Sequence, residues 1–215
     1  MGEEVWVFGK NGRVRKKLKD FEKMKSWKKG SDCCSWDGVD CDKKTGQLNL
    51  AYNDFALSLI PPEFTWFTEL THLNLSDSVF SAEVSAGVSS LNKLMLHDLS
   101  ENFGLGLEEG VFYLLIQNLS KLRDLDLGLV EVSSSVVSNS LLNLTSLRTL
   151  HLRYSRLHGK FPSEIFRLPY LQELDIGHND ALTGYIPDFM NLSYPLHRLV
   201  LSRTGFSGEL PRLGC

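Results

Sequence analysis

The chain has 215 residues, of which 42% are hydrophobic, and its formal net charge is −3. This length and composition allow a buried core, either in one or two domains or in one array of repeats. Residues 1–31 carry ten Lys and Arg against four Asp and Glu, so the rest of the chain is acidic, which argues against a nucleic-acid-binding surface there.

The N-terminal segment lacks the features of a targeting signal. Residues 1–17 have no apolar core followed by small residues, as a secretory signal would, and no run of about 18 apolar residues in the chain predicts a membrane-spanning helix. From Val14 to Met24, apolar residues recur every three or four positions among lysines, which predicts an amphipathic helix with a solvated basic face. A role for the basic run at a membrane surface or on a nucleic acid is the alternative.

The next element is the stretch DCCSWDGVDC at residues 32–41, which contains Cys33, Cys34 and Cys41. Closely spaced cysteines indicate zinc or redox chemistry in the cytosol and disulfides in secreted proteins. No histidine precedes Gln47, so a zinc site would lack ligands at usable spacing. The residues alone therefore leave redox chemistry and a disulfide open.

From residue 45 onward the chain repeats the frame LxxLxLxx, followed by a small or polar residue. Five copies are clear, such as LRDLDLGLV and LRTLHLRYS, and two are weaker. Alternation within LxL predicts one short strand per repeat with its leucines on one face, stacked in parallel with its neighbours. The predicted starts are residues 45, 70, 94, 122, 147, 171 and 196.

Three repeats carry a second motif after the strand: LHGKFP at 157–162, LTGYIP at 182–187 and FSGELP at 206–211. The combined frame, LxxLxLxxNxLxGxIPxxIxxLxxL, resembles the plant extracellular type of leucine-rich repeat over about residues 24–211. Phrases such as QNLSKLRDLDLGLVEVSSSVV resemble plant receptor-like proteins of the class that includes fungal-resistance receptors. The resemblance implies an α/β repeat solenoid, a horseshoe with a concave parallel β-sheet of about seven repeats, preceded by a small helical disulfide cap.

The same resemblance suggests a division of the chain. Residues 1–12 are expected to be disordered or non-native, residues 13–44 to form the plant-type cap, and residues 45–215 to form repeats. The last repeat stops at GELPRLGC without a C-terminal cap, which solenoid ends require. We therefore expect a piece of a receptor ectodomain or the product of a damaged gene.

The cysteines are assigned by the resemblance to the cap motif CCxWxGVxC. It implies a disulfide between Cys34 and Cys41. In relatives the first cysteine of the pair bonds to one at the start of the cap helix, and this chain has none before Cys33. Cys33 and Cys215, which lie about seven repeats apart, are therefore expected to be unpaired.

Four N-x-S/T sequons support an extracellular origin. They lie at Asn74, Asn118, Asn143 and Asn191. The last three precede the first leucine of a repeat by four or five residues, where asparagine could instead stabilise a turn. Asn74 lies between two leucines and is expected to point out from the strand face.

In such folds ligands bind the concave sheet, which is formed by positions two, three, five, seven and eight of the frame. Repeats two to four place acidic residues there, including Asp98, Asp124 and Asp126, whereas repeats five to seven place mostly arginine, histidine and tyrosine there. A charged groove with aromatic residues suits an extended peptide or a protein edge. The predicted ligand-facing residues are Arg153, Tyr154, His178, Arg203, Asp98 and Asp126.

Catalysis, metal binding and cofactors are not indicated. Asp124 and Asp126 could form a carboxylate pair, but the repeat frame places such residues routinely. The chain has no Gly-rich phosphate loop, nucleophile elbow or metal-ligand cluster. His97 occupies a leucine position of the frame and is interpreted as a degenerate repeat position.

The resemblance implies a non-catalytic ectodomain that binds a peptide or protein in defence or developmental signalling. In a full-length relative a partner receptor kinase would pass on the signal, with the repeats outside the plasma membrane. The alternatives are a soluble inhibitor of a secreted polysaccharide-degrading enzyme, or a truncated product without independent function.

Overall fold

The computed structural model describes residues 46–55, 57–60, 62–133, 139–187 and 195–208. Within these ranges the chain forms thirteen short strands, four 3₁₀ helices and one α-helix. In chain order the strands are β1 (Gln47–Asn49), β2 (His72–Asn74), β3 (Ser81–Glu83), β4 (Leu96–Asp98), β5 (Gly104–Glu108), β6 (Asp124–Asp126), β7 (Glu131–Ser133), β8 (Thr149–His151), β9 (His158–Lys160), β10 (Glu173–Asp175), β11 (Ala181–Tyr185), β12 (Arg198–Val200) and β13 (Gly205–Ser207).

One parallel sheet contains seven of these strands in the order β1-β2-β4-β6-β8-β10-β12. Each begins two residues after a repeat start predicted from the sequence, so these strands recur with the spacing of the LxxLxLxx frame. The sheet is the concave face of a leucine-rich-repeat solenoid, as the sequence predicted.

The leucines of the frame face inward because side chains alternate along a strand. Position four pairs in register across neighbouring strands, as in Leu48 with Leu73 and Leu125 with Leu150. These four leucines are buried in one core cluster that extends through the described repeats. No repeat could bury its leucines alone, so each neighbour completes the core of the next.

Two smaller parallel sheets follow the main sheet, in the orders β3-β5-β7 and β9-β11-β13. The strands of the second include residues of the motifs LHGKFP and LTGYIP, and Phe206 and Ser207 of FSGELP. The first contains repeats two to four, in which the motif has decayed. Further backbone hydrogen bonds, such as that from Val84 N–H to the Gly106 carbonyl, join these repeats although they lack the motif.

The remaining side of the solenoid, its convex face, consists of helices. The 3₁₀ helices are Pro62–Trp66, Ala86–Ser90, Asn139–Asn143 and Ser163–Arg167, and the α-helix, α1, is Glu109–Asn118. Helix α1 occupies the longest repeat and packs against the 3₁₀ helices on either side. Its Phe112, Leu115 and Ile116 are buried in the core.

One core position departs from the leucine pattern. His97 on β4 is fully buried and lies in register between Leu73 and Leu125. Neither ring nitrogen has a hydrogen-bond partner among the described residues, and burial lowers the pKa of His97 to about 4.

None of the helices in the described ranges combines the length and the apolar character needed to cross a membrane.

Candidate ligand-binding face

Just beyond the C-terminal ends of the concave strands, one residue per repeat, at position eight of the frame, forms a row along the side of the sheet. All of these residues adopt a left-handed backbone conformation, with φ between 47° and 66°, because the chain turns sharply out of the sheet at this point. Six of them donate their backbone N–H to a carbonyl of the next repeat, which fixes their spacing. We call this set the turn row: Tyr52, Asp77, Glu101, Leu129, Tyr154, His178 and Arg203.

The residues just before the turn row, at position seven, are small in every repeat but one. Five of them are buried, so they form a low floor beside the turn row. Arg153 is the exception, because it places an exposed guanidinium where the other repeats have Ala, Ser or Gly. We call this set the floor row: Ala51, Ser76, Ser100, Gly128, Arg153, Gly177 and Ser202.

Three of the six predicted ligand-facing residues form one cluster. The rings of Tyr154 and His178 stack with centroids 4.1 Å apart and an interplanar angle of 21°. The Arg153 guanidinium carbon lies 5.0 Å from the centroid of the Tyr154 ring, within the range of cation–π attraction. Tyr154 is still 40% exposed, so the cluster presents a flat aromatic surface beside a positive charge.

Arg203, the fourth predicted residue, is not a free charge. Its guanidinium lies 3.3 Å and 3.4 Å from the two carboxylate oxygens of Asp180. Both side chains are exposed, so solvent weakens the pair. Arg153, by contrast, forms no ion pair with any residue in the described ranges.

Asp98 and Asp126, the remaining two predicted residues, are neighbours across β4 and β6. Each uses one carboxylate oxygen to accept a backbone N–H two residues ahead, from Ser100 and Gly128 respectively. Burial raises the pKa of Asp98 above its usual value, and the nearby charge of Asp126 adds to that effect. The two carboxylates therefore form a half-buried negative region next to the turn row.

A charge network joins Asp126 to the last repeats. His151 places Nδ1 3.0 Å from Asp126 Oδ2, and this hydrogen bond raises the pKa of His151. Arg198 donates to Glu173 at 3.1 Å and lies 3.4 Å from His151 Nε2. The Arg198 hydrogen bond lowers the pKa of Glu173. At this point the face changes from acidic to a mixture of both signs.

One exposed cation on this face, Arg123, was not among the predicted residues. Arg123 occupies position two of repeat four and lies beside Arg148, whose backbone N–H donates to the Arg123 carbonyl at 2.6 Å. The repeat frame contained the signal, because LRDLDL and LRTLHL place both arginines at the same position. The face of repeats two to four is therefore mainly, but not wholly, acidic.

Three of the sequons lie in the described ranges. Asn118 and Asn143 are exposed and end convex-side helices. Asn74 is half-buried on β2, and its Oδ1 accepts hydrogen bonds from the Ser76 backbone N–H and hydroxyl. Glycosylation of all four asparagines, Asn191 included, stays a prediction, and Asn191 lies outside the described residues.

The cysteine assignments also lie outside the described residues. These are the Cys34–Cys41 disulfide and the unpaired Cys33 and Cys215, which stay predictions, as do the cap and its boundaries. Elsewhere in the chain, no group of three or more His, Cys, Asp or Glu among the described residues could hold a metal ion.

Comparison with known proteins gives a consistent result. Residues 14–42 match a family described as Leucine rich repeat N-terminal domain, and residues 146–168 match Leucine Rich Repeat. The chain is 35% identical to Receptor-like protein 6 of Arabidopsis thaliana, over 89% of the chain and 22% of that relative. It is 32% identical to Receptor-like protein Cf-9 of Solanum pimpinellifolium, over 91% of the chain and 26% of that relative. The chain therefore spans about a quarter of the length of these relatives.

Solved structures give the same fold. The structure described as PEPR1-AtPEP1 has a TM-score of 0.67 and 27% identity, covering 88% of this chain and 27% of that one. The plant peptide hormone receptor RGFR1 in complex with RGF2 has a TM-score of 0.66 and 28% identity, covering 83% and 27%.

Proposed function

We propose that this chain, which is a leucine-rich-repeat protein of the plant extracellular type, is a ligand-binding part of a receptor-like protein. Its ligand would be a peptide or a protein edge held on the concave sheet. The proposal extends to the role of the whole receptor, in which the repeats lie outside the plasma membrane and a partner receptor kinase passes on a defence or developmental signal. In this proposal the chain has no catalytic function.

The observation that carries the proposal is the cluster of Arg153, Tyr154 and His178. A stacked aromatic pair beside a guanidinium that forms no ion pair with a described residue offers contact area and charge at low entropic cost, a combination enriched at binding hot spots. The cluster stabilises no core, since Arg153 and Tyr154 are exposed. The similar structure of RGFR1 is a complex with RGF2, which supports a peptide as the ligand class.

The proposal is tested by peptide capture. The 215-residue chain, immobilised, is exposed to the peptide fraction of plant extracellular fluid, and bound peptides are identified by mass spectrometry. We expect Tyr154→Ala to lose these peptides, because it removes half of the stacked pair. Tyr170→Ala is the matched control, since Tyr170 is 58% exposed next to the convex helix Ser163–Arg167. Capture that survives Tyr154→Ala but is lost in Tyr170→Ala would contradict the proposal.

A further inference from the structure

The turn row has an order of charge that specifies a ligand more narrowly than the concave face as a whole does. After Tyr52, its first member, come Asp77 and Glu101, both exposed and neither in an ion pair with another described residue. Leu129, half-buried, follows in the next repeat. The row then continues with Tyr154 and His178. From repeat two to repeat six the order along the turn row is thus acidic, apolar and then aromatic.

The floor row reinforces this order. In repeats two to four the floor is Ser76, Ser100 and Gly128, all buried, so a chain could lie close to the sheet beside Asp77, Glu101 and Leu129. At repeat five the floor row has the long side chain of Arg153 in place of a small residue, and its guanidinium lies beside the Tyr154 ring. A positive charge therefore lies where Arg153 interrupts the row of small residues.

The distance between repeats sets how many residues must separate the complementary side chains of a bound peptide. Neighbouring parallel strands lie about 4.8 Å apart, so Glu101 and Tyr154, two repeats apart, are separated by about 10 Å. Asp77 and His178, four repeats apart, are separated by about 19 Å. Because an extended peptide rises about 3.3 Å per residue, these distances correspond to about three and six residues.

We propose that the turn row binds an extended peptide segment that carries a basic residue, then an apolar residue, then an acidic residue. The basic residue lies over Asp77 and Glu101, the apolar one over Leu129, and the acidic one at Arg153 beside the Tyr154–His178 pair. The basic and acidic residues stand three to six positions apart. Complementary charge would set which end of the segment lies on which repeats. This inference rests on the proposed function and adds the class of ligand.

The test uses a displayed library of random 12-residue peptides, panned against the 215-residue chain, followed by affinity measurements on synthetic copies of the enriched peptides. We expect enriched peptides to pair Lys or Arg with Asp or Glu at this separation, in either chain direction. Glu101→Lys is expected to weaken their binding about tenfold, and Arg153→Glu to do the same, because each places like charges together.

Two variants on the convex side act as matched controls. Glu164→Lys and Arg167→Glu make the same charge changes on the helix Ser163–Arg167, where both residues are exposed, and they are expected to leave affinity unchanged. Circular dichroism of all four variants checks that the fold is retained. Panning against Glu101→Lys is expected to remove the preference for Lys and Arg in the selected peptides.

The remaining outcomes separate this inference from the proposed function. In one such outcome, enriched peptides lose binding to Tyr154→Ala and yet carry no paired charges. In another, they lose binding to Tyr154→Ala but still bind both Glu101→Lys and Arg153→Glu with unchanged affinity. Either result would overturn the proposed ligand class but would leave binding on the concave face in place. A failure to enrich any peptide, or binding that responds only to the convex variants, would overturn both.

Discussion

His97 is the residue that fits its surroundings least well. It replaces a leucine at position four and lies between Leu73 and Leu125 with both ring nitrogens unpaired in the described structure. A buried polar group without a partner loses its hydrogen bonds to water and gains none in return. Its neighbours in the stack are apolar, which explains why burial alone lowers its pKa to about 4.

We predict that His97→Leu stabilises the protein. The change restores the leucine stack and removes two unpaired polar atoms, so we expect a gain of about 1–3 kcal/mol in the free energy of unfolding at pH 7. Urea unfolding followed by circular dichroism measures it. His97→Asn is the control, because it keeps a buried polar group without restoring the stack. A loss of stability in His97→Leu would mean that the imidazole has a favourable partner.

The pH dependence of the same variants gives an independent prediction. Because the folded pKa of about 4 lies below the unfolded value of 6.5, the unfolded chain binds the proton first. Stability is therefore lost as pH falls from about 6.5 toward 4, by up to about 1.4 kcal/mol per pH unit. Unfolding midpoints of the wild type and His97→Leu should diverge as pH falls through this window. Parallel curves would contradict the depressed pKa.

At the scale of one repeat, position nine determines how the turn after each strand is held. In repeats three and six this position is Asn102 and Asn179. The Nδ2 group of each asparagine donates hydrogen bonds to backbone carbonyls of its own repeat and of the preceding repeat. Its Oδ1 accepts hydrogen bonds from two backbone N–H groups of the preceding repeat. The asparagine therefore satisfies buried backbone groups that have no strand partner.

We predict that Asn102→Ala destabilises the solenoid by about 2–4 kcal/mol, because it leaves the Ser78 and Phe80 N–H groups buried and unpaired. Thermal unfolding by circular dichroism measures the loss. Asn92→Ala, at an exposed asparagine, is the matched control and is expected to be neutral. Equal effects of the two variants would show that the buried amide contributes little.

Much of this element structure could be predicted from the sequence, and the reason is local. Leu125 and Leu150 alternate with polar residues, so the period-two pattern alone placed the concave strands. The small sheets and α1 were not predicted. Strand β5 is set by backbone pairing with β3 and β7, and α1 by the packing of Phe112, Leu115 and Ile116 against neighbouring repeats, which a repeat frame does not specify.

The candidate site could also be predicted in part from the sequence. The frame put Tyr154 and His178 at one position of adjacent repeats, so their proximity followed from the sequence. Their stacking and the Arg203–Asp180 pair depend on side-chain conformations, which a repeat frame does not specify. The position of Arg123, by contrast, is specified by the frame.

At the scale of the whole molecule, the solenoid separates stability from recognition. Leucines inside and asparagines at the turns hold the repeats together, while the turn row is free to vary without affecting the core. In this chain that row carries Tyr52 in the first repeat, acidic residues in repeats two and three, and Tyr154, His178 and Arg203 in the last three repeats. The chain spans about a quarter of the length of the relatives it matches.

Hydroxyl-radical footprinting tests the central claim, ligand binding on the concave face, most directly. The 215-residue chain is oxidised with and without a peptide captured from extracellular fluid, and oxidation of individual side chains is measured by mass spectrometry. Binding on the turn row should protect Tyr154 and His178 while leaving the exposed convex Tyr113 and Tyr170 unchanged. Protection of Tyr113 or Tyr170 with Tyr154 and His178 unchanged would contradict the claim.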